Sequence, residues 1–155
     1  MALGWSAPSL AGGPIPGRIV LAALQSRHRF GVPRGLIGLK VRGNRTGHWH
    51  TFPVMAAPSA GGLIVLPGRA DEKRWWRNLC RPSAVEICRS GVWEPADAWV
   101  VSVYDCSYPA SRAAYRRRYP RATVPSQTPL VRIVPRLGTV GRGTPAPVEP
   151  VVGDR

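Results

Sequence analysis

Glycine and proline interrupt this chain so often, with seventeen of each in 155 residues, that long uninterrupted helices are excluded over most of its length. Such punctuation favours many short elements joined by turns. Between the breaks lie short apolar runs rich in Val, Ile, Leu and Trp, a pattern that suits strands. Hydrophobic residues make up 44% of the chain. A single domain of this length can therefore bury a core without metal or disulfide staples.

Residues 1–17 are rich in Gly, Pro, Ala and Ser and read as a flexible leader. Pro16 suits the first turn of a helix, which runs to about Arg29 before Gly31 and Pro33 end it. Core packing is the favoured role for that helix over rest on a membrane surface. Residues 36–41, 49–56 and 62–66 read as strands, with a turn at 58–61. Asp71 is placed as the N-cap of a helix through Cys80, stopped by Pro82. Residues 84–89 and 93–103 read as strands paired through a short turn at Ser90 and Gly91. Residues 109–119 form a helix with a basic end, Arg116, Arg117 and Arg118, and 128–134 is the last strand. The domain spans 18–135, and 136–155 reads as a disordered tail. Short connections favour antiparallel pairing, so the expected class is α+β: about six strands closing into a small barrel flanked by helices.

The formal charge is +14, and no Asp or Glu precedes Asp71. An unbalanced basic surface attracts phosphates, anionic lipid headgroups or nucleic acid. Cys80, Cys88 and Cys106 are too few and too irregularly spaced for a zinc site or disulfide framework. They read as small buried hydrophobes in a reducing cytosol. His48 and His50 lack a third ligand at metal spacing, so no metal is expected. No dinucleotide fingerprint, phosphate-binding P-loop or Ser-His-Asp pattern occurs. No apolar run reaches the roughly 20 residues that a bilayer span requires, and no secretory signal is recognisable.

The residues richest in chemistry lie at 42–79. A basic Gly-containing turn is followed by two apolar strands, a second basic turn and paired tryptophans. Cations and open backbone beside apolar strands suit a ligand that is anionic at one end and flat at the other. The segments GNRTGHWHTFPVM (43–55), LPGRADEKRWWRNL (66–79) and TPLVRI (128–133) resemble the deazaflavin-dependent nitroreductase family. The first carries that family's Gly-x-Lys/Arg-Ser/Thr-Gly turn and a following Pro-aliphatic pair. The second carries its Trp-Trp/Tyr-x-Asn-Leu motif.

The resemblance implies a flavin-binding split β-barrel, coenzyme F-420 as cofactor, and hydride transfer to a planar electron-poor substrate such as a quinone or nitroaromatic. It places Arg45, Thr46, Gly47 and His50 at the coenzyme's acidic tail, with the amides of Gly43 and Gly47 approaching its phosphate. Pro53, Val54 and Met55 line the ring, their backbone N–H groups facing its polar edge. Pro67, Gly68, Arg69 and Lys73 form the second turn. Of Trp75 and Trp76, one packs in the core and the other borders the site or an interface, and Asn78 is a helix-end bonder or a site-shaping residue. Such chemistry belongs to the cofactor, so no side-chain nucleophile is needed. Two features depart from the family pattern. Asp71 and Glu72 stand in the second turn where cations are usual, and the loop at 120–127 is short and lacks an aromatic. Tyr115 and Tyr119 are the weak catalytic candidates in its place. The alternatives are FMN or a haem-type ligand in the same barrel, or a basic module for anionic membrane or nucleic acid. Nucleic acid is disfavoured because no recognition motif accompanies the charge. A cytoplasmic location, peripheral contact with the inner face of the plasma membrane, and a homodimer complete the expectations.

Overall fold

Several strands carry apolar side chains at adjacent positions, which strict alternation with a solvated face would forbid. The explanation is that the sheet is covered on both sides. In the computed structural model, which describes residues 33–136 together with Ala22 and Ala23, six strands close into an antiparallel barrel in the order β1-β2-β3-β6-β5-β4. They are β1 (Leu36–Arg42), β2 (Trp49–Ser59), β3 (Gly62–Val65), β4 (Ser83–Arg89), β5 (Val92–Val101) and β6 (Leu130–Pro135). One α-helix, α1 (Tyr108–Arg118), links β5 to β6. Leu39, Val65, Ile87 and Ile133 fill the barrel interior. Ala57, Ile64 and Leu130, each adjacent in sequence to an interior residue, point outward instead and pack with Tyr108 and Tyr115 of α1.

The β2–β3 and β4–β5 turns are short. Arg89 pairs with Val92, and Ser90 and Gly91 both take positive φ, 55° and 80°, the signature of a two-residue type I′ turn. Ser59 pairs with Gly62, so β2 runs through Pro58, which was expected in the turn. The register explains why β2 tolerates its prolines. Gly43 N–H donates to His48 O and Ala56 N–H donates to Gly35 O, each at 2.8 Å. These directly opposed pairs bracket the β1–β2 ladder, so the even-numbered β2 residues direct their amides at β1. Pro58 falls beyond the end of β1, and Pro53 would direct its missing N–H away from β1, so neither removes a ladder bond.

Two further expectations change. The helix expected from Asp71 to Cys80 is a short 3-10 helix, Trp75–Leu79, with Arg74 at its N-cap and no side-chain cap bond. Asp71 sits in the preceding turn. Burial of Trp75, Trp76 and Leu79 against the barrel interior takes precedence over a regular α-helix, in a segment too short to nucleate one. Of the cysteines only Cys88 is buried, while Cys80 and Cys106 are exposed because they lie in the connections rather than on strands. The leader (1–17), the tail beyond Arg136 and most of the helix expected at 16–29 lie outside the described residues; Ala22 and Ala23 are helical. Among the described residues no helix is long and apolar enough to cross a membrane.

Candidate cofactor site

Two of the motif segments, 43–55 and 66–79, are joined at the β1–β2 turn. Asn44, in the β1–β2 turn, donates its backbone N–H to Asn78 Oδ1 and its side-chain amide to Asn78 O, both at 3.1 Å. Trp76 Nε1 donates to Ala70 O at 2.9 Å, tying the second basic turn to the same 3-10 helix. Trp75 packs on Phe52 of β2, ring centroids 5.0 Å apart. Both tryptophans pack against the barrel core and remain partly exposed. Asn78 is the pin between the two turns. Asn78→Ala should cost about 0.5–1.5 kcal/mol, the usual worth of an exposed hydrogen bond, and the Asn44 amide should exchange faster with deuterium. Unchanged exchange at Asn44 would remove Asn78 from that role.

The β1–β2 turn is built differently from the expected phosphate cradle. The amides of Gly43 and Gly47 are occupied, by His48 O and by Gly43 O, each at 2.8 Å. His48 N–H is taken by Thr46 Oγ1 at 3.3 Å. Among the described residues this leaves the consecutive amides of Arg45 and Thr46 without a protein acceptor, at the exposed tip of the turn. Adjacent free N–H groups of this kind form an anion-binding concavity. Gly47 has φ +69°, and a methyl on Gly43 would sit tightly, 3.0 Å from Thr46 Oγ1 and 3.3 Å from His50 Nε2. His50 is thereby placed over the turn.

At the ring position the register again corrects the expectation. Val54 N–H faces β1, Pro53 has none, and only Met55 directs its amide away from β1. β3 pairs with β2 only from Ala56 onward, so among the described residues the outer edge of β2 has no ladder partner before that point. Pro53, Val54 and Met55 are half-buried, and Val54 packs toward the core.

In the second turn Pro67 is fully buried, while a methyl on Gly68 would meet nothing. Arg69, with φ +50°, is ion-paired to Glu72 at 2.8 Å, and both side chains are exposed. Burial, and then Arg69, hold the Lys73 amine below the usual lysine range, against the pull of Glu72.

Neither tyrosine candidate offers a hydroxyl to a substrate. Tyr115 is 2% exposed, and burial pushes its phenol upward. Tyr119 donates its hydroxyl to Ala56 O at 2.7 Å. Their rings pack together under α1, centroids 4.9 Å apart.

Sequence reading also missed a cleft. An open space of about 500 Å³ is lined by Arg42, Asn44, Trp49 and Ser83, with Gly43, Gly47 and Ala84 completing it. Arg42 and Trp49 are direct partners in the β1–β2 register. Reading residues 43–48 as a hairpin turn is the signal that pairs them. Among the described residues no group of three metal-ligating side chains is present.

No family model matches the chain, and no curated protein matches it. Solved structures do. An F-420-H2-dependent reductase (FDR-A) superposes with a TM-score of 0.50 at 13% identity, covering 64% of this chain and 94% of its own. A chain described as a domain-swapped dimer gives 0.52 at 12% identity, covering 75% and 92%. HutZ, the haem storage protein of Vibrio cholerae, gives 0.47 at 16% identity, covering 76% and 89%. The fold is the split β-barrel. At these identities the likeness is one of architecture.

Proposed function

We propose that this split barrel is an oxidoreductase that binds coenzyme F-420 and reduces a planar electron-poor substrate, a quinone or nitroaromatic. The observation that carries the reading is the convergence of the two basic turns on the Trp75–Leu79 helix, through Asn44–Asn78 and Trp76–Ala70. One structure of the same fold is an F-420-H2-dependent reductase.

The residues present fit such a coenzyme by donor chemistry. The free amides of Arg45 and Thr46, the Arg45 guanidinium and His50 suit the phosphate and carboxylates of its tail. Pro53 and Met55 supply an apolar wall, with the Met55 amide on its open edge. The reduced deazaflavin supplies the hydride when bound; the chain positions the reactants and excludes water. Lys73 contributes a further amine, held below the usual lysine range by partial burial.

Titration of the full chain with oxidised coenzyme F-420 tests this. Quenched tryptophan emission and a raised melting temperature are expected, with FMN producing neither. No response to F-420 overturns the assignment, and a response to FMN alone replaces the cofactor. Arg45→Ala should weaken coenzyme binding by about 1.5–3 kcal/mol, the worth of a charge-assisted hydrogen bond, or roughly 10- to 150-fold. An unaltered affinity would remove Arg45 from the site. A homodimer accompanies this reading, since one matched structure is a domain-swapped dimer. Light scattering that gives the monomer mass at micromolar concentration rejects it.

A further inference from the structure

We infer that the cleft between Arg42 and Trp49 is a binding site for small, flat aromatic anions, of which an aromatic carboxylate is the simplest. Arg42 and Trp49 face each other across the hairpin, at a pair that exchanges no ladder hydrogen bonds, where side chains approach most closely. Both are exposed, on the face opposite Val41, the neighbour of Arg42, which lies in the barrel core.

Trp49 remains 46% exposed. It is held by Lys40, whose Nζ lies 5.2 Å from the ring centroid, and Lys40 is itself fixed by Glu86 at 2.8 Å. The indole is thus an immobilised platform on which an aromatic ring can stack. Arg42 Nε donates to Gly47 O at 3.1 Å. That bond orients the guanidinium, while its Nη groups have no protein acceptor among the described residues. A guanidinium so held meets a carboxylate with two parallel hydrogen bonds.

The remaining walls suit a thin ligand. Gly43 and Gly47 bring no side chain and Ala84 only a methyl, and no carboxylate lines the cleft. Its volume of about 500 Å³ falls within the range of roughly 300–1,000 Å³ common to small-molecule sites. Six residues of strand separate Trp49 from Met55, about 20 Å at 3.3 Å per residue. The cleft is therefore a separate place from the ring position proposed above, and it can be tested without coenzyme.

The probe is 2-naphthoate, titrated by calorimetry into the full-length chain, with 2-naphthalenemethanol as its uncharged counterpart. Naphthoate should bind, and the alcohol should bind about ten-fold more weakly or less, the loss of one charge-assisted contact. Trp49→Leu and Arg42→Gln should each weaken naphthoate by about ten-fold or more. Arg117→Gln, at the exposed end of α1, should leave it unchanged. Among the described residues Trp49 makes no side-chain hydrogen bond, so Trp49→Leu tests the site even if Arg42→Gln loosens the turn. The inference is overturned by absence of heat at millimolar naphthoate, by equal binding of the alcohol, or by full affinity in Trp49→Leu. Equal weakening by Arg117→Gln also overturns it, because diffuse charge would then explain the binding.

Discussion

Gly62→Ala should destabilise the protein by on the order of 3–4 kcal/mol, at the upper end of single-substitution effects. Gly62 opens β3 beside the β3–β6 pairing, where Leu63 opposes Ile133. An alanine methyl there would overlap the Ile133 carbonyl oxygen and lie 3.2 Å from its carbonyl carbon. The obstructing atoms are backbone, so no side-chain rotation relieves the clash. β3 and β6 must separate, and that pairing is one of the six that close the barrel. Because β3 has only four residues, it has few other bonds with which to hold its register. For a domain of about 100 residues the loss corresponds to a fall in Tm of roughly 12–30 °C. Urea denaturation measures it directly, and a midpoint within error of wild type would refute the close approach of the two strands.

Gly35→Ala is expected to cost about 3 kcal/mol, for two separable reasons. Gly35 has φ +95°, a conformation that side-chain-bearing residues rarely adopt. Its added methyl would also overlap the Tyr119 hydroxyl and sit 3.0 Å from Ala56 O. Tyr119 cannot simply swing away, because its hydroxyl is bonded to Ala56 O at 2.7 Å and its ring packs on Tyr115. Removing that hydroxyl separates the causes. Tyr119→Phe alone should cost about 1 kcal/mol for the lost hydrogen bond. The double variant should be less destabilised than the sum of the two, by about 1 kcal/mol or more, since the overlap disappears while the backbone strain remains. Strict additivity would show that strain alone penalises Gly35→Ala. The same series bears on chemistry. Tyr119→Phe that keeps its fold and coenzyme affinity should keep its turnover, since the hydroxyl is spent on Ala56 O; lost turnover would show that it acts on substrate.

How far the chain could be read beforehand depended on whether a residue's partner was local. The strands announced themselves through apolar runs between Gly and Pro, and the Ser90–Gly91 turn through local backbone chemistry. Pro58 misled because a proline usually marks a turn; only the register shows that its missing N–H falls where no partner waits. The helix from Asp71 misled because a plausible cap and a tryptophan pair are local signals, whereas the barrel interior that draws in Trp75, Trp76 and Leu79 is remote in sequence. At the site, the candidate turns were legible as basic Gly-containing motifs. Which amides remain free was not: Gly43 and Gly47 spend theirs within the hairpin, leaving Arg45 and Thr46.

The order of short apolar segments, their turns and the surplus of arginine therefore determined by themselves an antiparallel barrel with a cationic face, because hydrophobic burial and turn geometry act over a few residues. Tertiary structure alone decided that Asn44 meets Asn78, that Tyr119 is a strut, and that Arg42 and Trp49 flank a cleft. Hydrogen bonds and ion pairs act over about 3 Å, and which groups come that close is set by strand register and barrel closure.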